Sequence, residues 1–302
     1  GFLRYMATSE RMKMGEKSDM KTGTYKGYET SLSEPGVLWI RFNRPDRKNG
    51  MTSVMKRELI ETLTQAQMED AVRVIVFTGS GDSFCAGDDL KGYATAMRED
   101  DDGQVPLIPA GHDHGVGTYA GLRTISQALN TQIRELDKIT IAAVNGVAIQ
   151  TGFSLALSCD FRIAARGEAR LGSGTLRFAL LPDEGGHYLL VQHIGLAQTL
   201  DFVMRKKIVP ASEAMELGVV HEVVRSEELM AATEALATEL AAGPQVAMRL
   251  LKRTVYNAAE MNWLQALDDI AGKTAVTDHH PDATEGVASF KEKRMPHFNK
   301  WL

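Results

Sequence analysis

Two short segments carry residue types able to hold a developing negative charge. Ser83-Phe84-Cys85-Ala86-Gly87-Asp88-Asp89-Leu90-Lys91 follows the apolar run Val74-Ile75-Val76-Phe77. Ala142-Ala143-Val144-Asn145-Gly146-Val147-Ala148 closes the run that begins at Ile139. Each leaves an apolar, β-branched stretch and turns through small residues towards a helix-like one. Side by side in a sheet, two such turns can aim two backbone N–H groups at one point, the geometry that holds a carbonyl oxygen as it becomes an oxyanion.

The elements that must position these turns are legible nearby. Residues 28–42 alternate, with Val37 to Phe42 as the clearest strand and Glu34-Pro35-Gly36 as a hairpin turn. Thr52 is the expected N-cap of a helix through Met68, with Met55, Leu59, Leu63 and Ala66 at helical spacing. A strand is expected over Val72 to Thr78, where Val74 to Phe77 is unbroken apolar sequence, the pattern of a parallel strand covered on both faces. A helix is expected over Tyr119 to Asp137, a strand over 139–144, an apolar helix from Gly152 to Ser158, and a short strand at Phe161 to Ala165. This alternation predicts an α/β fold built from crossover units.

From about Val191 no further strand is expected. A helix ends at Gly218 as its C-cap, Ser226 caps an alanine-rich helix to about Ala242, Gly243-Pro244 opens another through Tyr256, and a last long helix precedes Phe290. The chain thus divides into an N-terminal extension over 1–24, flexible and outside the folded body, a core over 25–210, and a helical region over 211–302. A polar insertion at 94–117, with Glu99-Asp100-Asp101-Asp102 and His112-Asp113-His114, reads as a lid or a disordered loop.

Composition narrows the function classes. The 302 residues are 44% hydrophobic, enough for one substantial core. A net charge of −5 supplies no basic field for nucleic acid or an anionic membrane surface. No apolar run reaches the roughly 20 residues that span a bilayer. Two cysteines, Cys85 and Cys159, fit a reducing compartment, and the cytoplasm is the expected location. His112-Asp113-His114 lacks a second ligand pair, so no metal is expected.

Taken together, Asn43-Arg44-Pro45, Phe84 to Lys91, Ala143-Val144-Asn145-Gly146, Cys159-Asp160, Pro182-Asp183-Glu184-Gly185-Gly186, Ala214 to Val220 and Glu285 to Arg294 resemble the crotonase (enoyl-CoA hydratase/isomerase) superfamily over residues 25–300. The resemblance implies a β-β-α spiral core, a C-terminal helical trimerisation region, and a homotrimer or dimer of trimers. It implies an acyl-CoA thioester as substrate, with coenzyme A entering as part of that substrate and no separate cofactor. On the matching positions the oxyanion hole is formed by the backbone N–H groups of Asp88 and Thr151. Thr151 opens the 152–158 helix, where free N–H groups and the helix dipole favour negative charge. Arg47, Lys48 and Lys293 match positions that meet the phosphates of coenzyme A. Ala86, Asp89 and Leu90 border its adenine pocket, and Phe290 matches a residue near the acyl or adenine pocket, often supplied by a neighbouring subunit.

The pattern also breaks. The two glutamates that hydratases of this family use fall on Ser154 and Thr175, neither of which is a general acid or base near neutral pH. The carboxylates left near the expected site are Asp183 and Glu184, in a Pro-Asp-x-Gly-Gly pattern that resembles the phenylacetyl-type epoxide/enoyl-CoA isomerase branch. Asp183, buried against Leu180, Leu181 and Leu189, would have a raised pKa suited to moving one proton. Alternatively Asp183 caps a helix over 184–193 with Glu184 in its first turn. His187, four residues on, shares a helical face with Asp183 and either orients it or is an ordinary core residue. Tyr119 and Arg123 begin the helix beside the insertion, without an assigned role. The leading expectation is an isomerase that holds an enolate at Asp88 and Thr151 and shuttles a proton on Asp183. Two others stay open: a hydratase or thioester/C–C hydrolase using Glu184, and a non-catalytic acyl-CoA-binding subunit.

Overall fold

The computed structural model describes residues 18–89 and 114–301. The chain first makes an antiparallel meander of β1 (Gly23–Thr24), β2 (Tyr28–Ser33) and β3 (Val37–Phe42), with β2 and β3 paired from Tyr28 opposite Phe42 to Ser33 opposite Val37. Three repeats follow, each a long strand turning into a short one: β4 (Val74–Gly79) with β5 (Ser83–Cys85), β6 (Ile139–Val144) with β7 (Val147–Ile149), and β8 (Phe161–Arg166) with β9 (Arg170–Gly172). β10 (Ile208–Pro210) and β11 (Glu222–Arg225) complete them. The long strands form a sheet of order β1-β2-β3-β4-β6-β8-β11 and the short ones a second sheet of order β10-β9-β7-β5. The chain therefore winds through two sheets at once, and the turns between them align along one edge.

The largely apolar character of β4, β6 and β8 is explained by burial on both faces. Ile75, Phe77, Ala142, Val144 and Ala164 point into one core, shared with Met55, Leu59 and Leu63 of the Ser53–Met68 helix. Val74, Val76, Ile141, Ala143, Ile163 and Ala165 point into another, closed by Leu229, Ala237 and Ala241 of the Leu229–Ala242 helix. Thr52 caps the Ser53–Met68 helix as expected, its hydroxyl accepting from Met55 N at 3.2 Å.

Several expectations are revised. β10 and β11 lie beyond Val191, and at three and four residues they are too short to show a period of two. The body begins before Tyr25: Met20 is buried, and the backbone N–H groups of Asp19 and Lys21 donate to Glu69 and Gln65 at 3.0 and 3.2 Å. The helix expected from Tyr119 starts at Gly115 and runs to Glu135 through a π-helical turn at Leu122–Ser126. The last long helix is two, Trp263–Asp278 and Pro281–Glu292, and the second contains Phe290. Ser226 does not cap the Leu229–Ala242 helix; its hydroxyl is turned to Arg166 O at 3.1 Å.

The Cys159-Asp160 pair anchors the helical region to the sheets. Asp160 Oδ2 accepts from Thr140 N at 2.8 Å and pairs with Lys252 at 2.9 Å, while Tyr256 donates to Oδ1 at 2.7 Å. Both partners sit on the Gln245–Ala258 helix. Among the described residues no helix is long and apolar enough to cross a membrane.

Candidate active site

The two turns are locked together by backbone contacts that only small residues allow. Asn145, between β6 and β7, accepts from Gly79 N at 3.0 Å and donates to Gly81 O and Ser83 O at 3.0 and 3.2 Å, bridging the β4–β5 turn. A Cβ at Gly146 would lie 1.9 Å from Asp82 O, and one at Gly152 would lie 2.1 Å from Cys85 O. The start of the Thr151–Ser158 helix is therefore pressed against the end of β5, whose strand pairs in parallel with β7.

Asp88 and Thr151 meet there. Met51 N donates to Gly87 O and Asp89 N donates to Met51 O, each at 2.9 Å. Alternation along this extended segment turns the intervening Asp88 N–H away from Met51. Thr151 is the first residue of its helix, so its N–H has no acceptor within the helix. Their side chains touch, with Thr151 Oγ1 2.7 Å from Asp88 Oδ1.

A buried polar cluster extends from this contact. Thr151 Oγ1 is also 2.5 Å from Glu184 Oε1. Lys56, buried on the inner face of the Ser53–Met68 helix, sends its ammonium to Asp88 Oδ1 and Oδ2 at 2.8 and 3.0 Å and to Ser126 Oγ at 2.9 Å. Gln150 Nε2 donates to Glu184 Oε2 at 3.1 Å and reaches Asp183 Oδ1 at 3.5 Å, while its Oε1 accepts from Ser173 at 3.3 Å. Gln150 holds φ 54° and ψ −114°, a conformation that side-chain-bearing residues rarely adopt, directly before the oxyanion turn.

Burial, reinforced by the Asp183 and Asp88 carboxylates, pushes Glu184 up to about 7, even though Lys56 and the Thr151 hydroxyl act the other way. Burial draws the Lys56 ammonium down, but the Asp88 and Glu184 carboxylates outweigh it and hold the group above its ordinary value. Burial pushes the Cys85 thiol up to about 12, so it is no nucleophile at neutral pH.

The structure revises the surroundings of the carboxylates. Asp183 is half-buried, because Leu180 and Leu181 are 59% and 75% exposed and do not cover it; Glu184 is the buried one. The capping alternative fails, since the helix spans Gly186–Met204 and its N-cap is Gly185, without a side-chain cap. His187 is exposed on that helix while Asp183 precedes it, so the two do not share a helical face. Ser154 is buried against Gly186, where an added Cβ would lie 2.4 Å from its hydroxyl, and Thr175 bonds Ser173 at 3.2 Å.

Beside Asp88 opens a cleft of about 380 Å³ lined by Asp46, Arg47, Lys48, Gly50, Ala86, Gly87, Asp88 and Asp89. It joins Arg47, Lys48, Ala86 and Asp89 to the oxyanion turn. Lys48 is paired with Asp82, and Arg44 holds Asp89 at 2.6 Å. Phe290, 86% exposed, and Lys293, the left-handed C-cap of the Pro281–Glu292 helix, are not among the cleft's lining residues. Leu90, His112 and Asp113 lie outside the described residues, as does most of the 94–117 insertion. His114 caps the Gly115–Gly121 helix, accepting from Val116 N at 3.3 Å, and Arg123 donates to the Tyr119 hydroxyl at 3.0 Å.

Sequence reasoning missed Lys56 and Gln150. Lys56 had a signal, since it stands three and seven residues before Leu59 and Leu63 on an amphipathic helix, a position where a lysine must find a buried partner. Gln150 had none.

A family model described as enoyl-CoA hydratase/isomerase matches residues 33–107 and 108–300. The chain is 34% identical to the 1,2-epoxyphenylacetyl-CoA isomerase of Escherichia coli strain K12, over 88% of this chain and 95% of that protein. It is 32% identical to a probable enoyl-CoA hydratase of Rhodobacter capsulatus, over 91% of this chain and 98% of that protein. Among solved structures, an enoyl-CoA hydratase from Bacillus anthracis superposes with a TM-score of 0.80 at 29% identity, covering 90% of this chain and 99% of that one.

Proposed function

The chain belongs to the enoyl-CoA hydratase/isomerase family of acyl-CoA enzymes, and from that premise we propose that it isomerises an enoyl-CoA through a thioester enolate. The carrying observation is the inequality of its two carboxylates: Asp183 is half-buried, whereas Glu184 is buried with its pKa near neutrality. The backbone N–H groups of Asp88 and Thr151 receive the thioester oxygen. Asp183 removes a proton from one carbon of the enoyl system as the electron pair moves onto that oxygen, then returns it to another carbon. Glu184, uncharged behind Thr151, leaves the field around the enolate free of one more negative charge. Arg47, Lys48, Ala86 and Asp89 border the coenzyme A portion, with Leu90 beside them. Phe290 and Lys293 come from a neighbouring subunit of a homotrimer or dimer of trimers, acting in the cytoplasm on an acyl-CoA substrate without a separate cofactor.

Incubation with trans-2- and trans-3-enoyl-CoA panels in D2O, read by mass spectrometry, tests this. Deuterium at Cα or Cγ without added water is the expected result. Asp183→Asn should lower turnover by about 100-fold or more and leave coenzyme A ester affinity unchanged; undiminished turnover would remove Asp183 from the mechanism. A second reading is favoured by one observation, that Gln150 lies between Asp183 and Glu184 and reaches both. Such a pair has the base and the acid that hydration needs, and product carrying the mass of water would establish it.

A further inference from the structure

We infer that Lys56 is a positioning residue that places the acid proton of the Asp88, Thr151 and Glu184 cluster, the second besides that of the hydroxyl, on Glu184, leaving Asp88 as the carboxylate. The argument is a count of protons. Thr151 Oγ1 lies 2.7 Å from Asp88 Oδ1 and 2.5 Å from Glu184 Oε1. A hydroxyl has one proton and an ionised carboxylate has none, so two contacts this short need a second proton on one of the acids.

Lys56 decides which. Its three ammonium protons are accounted for by Asp88 Oδ1, Asp88 Oδ2 and Ser126 Oγ at 2.8, 3.0 and 2.9 Å. Asp88 thus receives two charge-assisted hydrogen bonds from one ammonium, the contacts of a carboxylate acceptor. The Thr151 hydroxyl donates to that charge, and Glu184 Oε1 donates to Thr151. Glu184 Oε2 accepts from Gln150 at 3.1 Å, which suits the carbonyl end of a neutral acid.

The charged groups facing Glu184 agree. Asp88 approaches from the turn after β5, Asp183 from its own segment and Lys56 from the Ser53–Met68 helix, while the neighbouring Cys85 is a neutral thiol. Ionised Glu184 would make three carboxylates around one buried cation. The elevation of Glu184 to about 7 is consistent with this proton count.

The consequence for turnover rests on the isomerase reading; the test does not. Infrared titration of the unliganded protein follows the C=O stretch of protonated carboxyl groups from pH 5.5 to 9. The wild-type band should bleach with a midpoint near 7, disappear in Glu184→Gln, and survive in Asp88→Asn and Asp183→Asn. In Lys56→Met the midpoint should move alkaline by about one pH unit, because an opposing charge is gone. Survival of the band in Glu184→Gln, or its loss in Asp88→Asn, assigns the proton to Asp88 and overturns the inference. An unmoved midpoint in Lys56→Met reduces Lys56 to packing. Should that variant not fold, Lys56→Gln removes the charge while keeping a polar end, and the same midpoint is read. An absence of isomerase activity leaves every one of these bands readable, so the two failures are distinguishable.

Discussion

Glu184 makes the link between stability and chemistry explicit. Its pKa rises from an ordinary 4.5 to about 7 through burial and its carboxylate neighbours. Between those values the folded state keeps a proton that the unfolded chain has released, so stability falls as pH rises across that window. The decline is of order 3 kcal/mol, complete above about pH 7. Glu184→Gln carries no such proton. It should therefore be more stable than wild type in urea unfolding at pH 8, with the gain vanishing near pH 4.5; equal stability at both pH values would contradict the raised pKa. On the isomerase reading kcat/KM should fall as pH rises through about 7, when Glu184 gains charge beside the enolate, and this limb should be absent in Glu184→Gln.

The oxyanion geometry belongs to elements rather than to any side chain. The helix Thr151–Ser158 can present its first N–H beside Asp88 only because Gly152 has no Cβ to strike Cys85 O at 2.1 Å. Gly152→Ala must push the helix off the β5 turn. We expect a loss of about 1–3 kcal/mol in urea unfolding, and a fall in turnover larger than any change in substrate affinity, since the hole holds the enolate more tightly than the ground-state carbonyl. Wild-type turnover in Gly152→Ala would mean that the two turns are not coupled in this way.

The helices from Gly186 onwards leave large apolar side chains exposed in the single chain. Leu196, Leu251, Val255, Leu264 and Phe290 are between 62% and 86% exposed, and β11 ends the large sheet with half-buried and exposed residues. Large apolar side chains exposed in this number fit burial against further copies of the chain. Light scattering during size exclusion should give three or six times the chain mass at micromolar concentration; a monomer would contradict the proposed assembly and the placing of Phe290 and Lys293 on a neighbour.

Local signals in the sequence determined the features that depend on few residues. The apolar runs of β4 and β6, the small residues at Gly146 and Gly152 and the Thr52 cap needed no knowledge of distant partners, because parallel strands buried on both faces and tight turns each leave a short-range pattern. They marked two small-residue turns able to meet; the resemblance to a known family put the pair of donors on Asp88 and Thr151, and the structure sets their side chains in contact. Protonation and burial were decided only in three dimensions. Leu180 and Leu181 looked like cover for Asp183 yet face outwards, whereas Glu184 is enclosed by Thr151, Gln150 and Asp88 from other segments. Lys56 and Glu184 stand 128 positions apart in the chain, and no periodicity relates them. A pKa is a property of the field and dielectric that the whole fold assembles around a group, so the acid of this site could be read as a residue type from the sequence but as a proton carrier only from the packing.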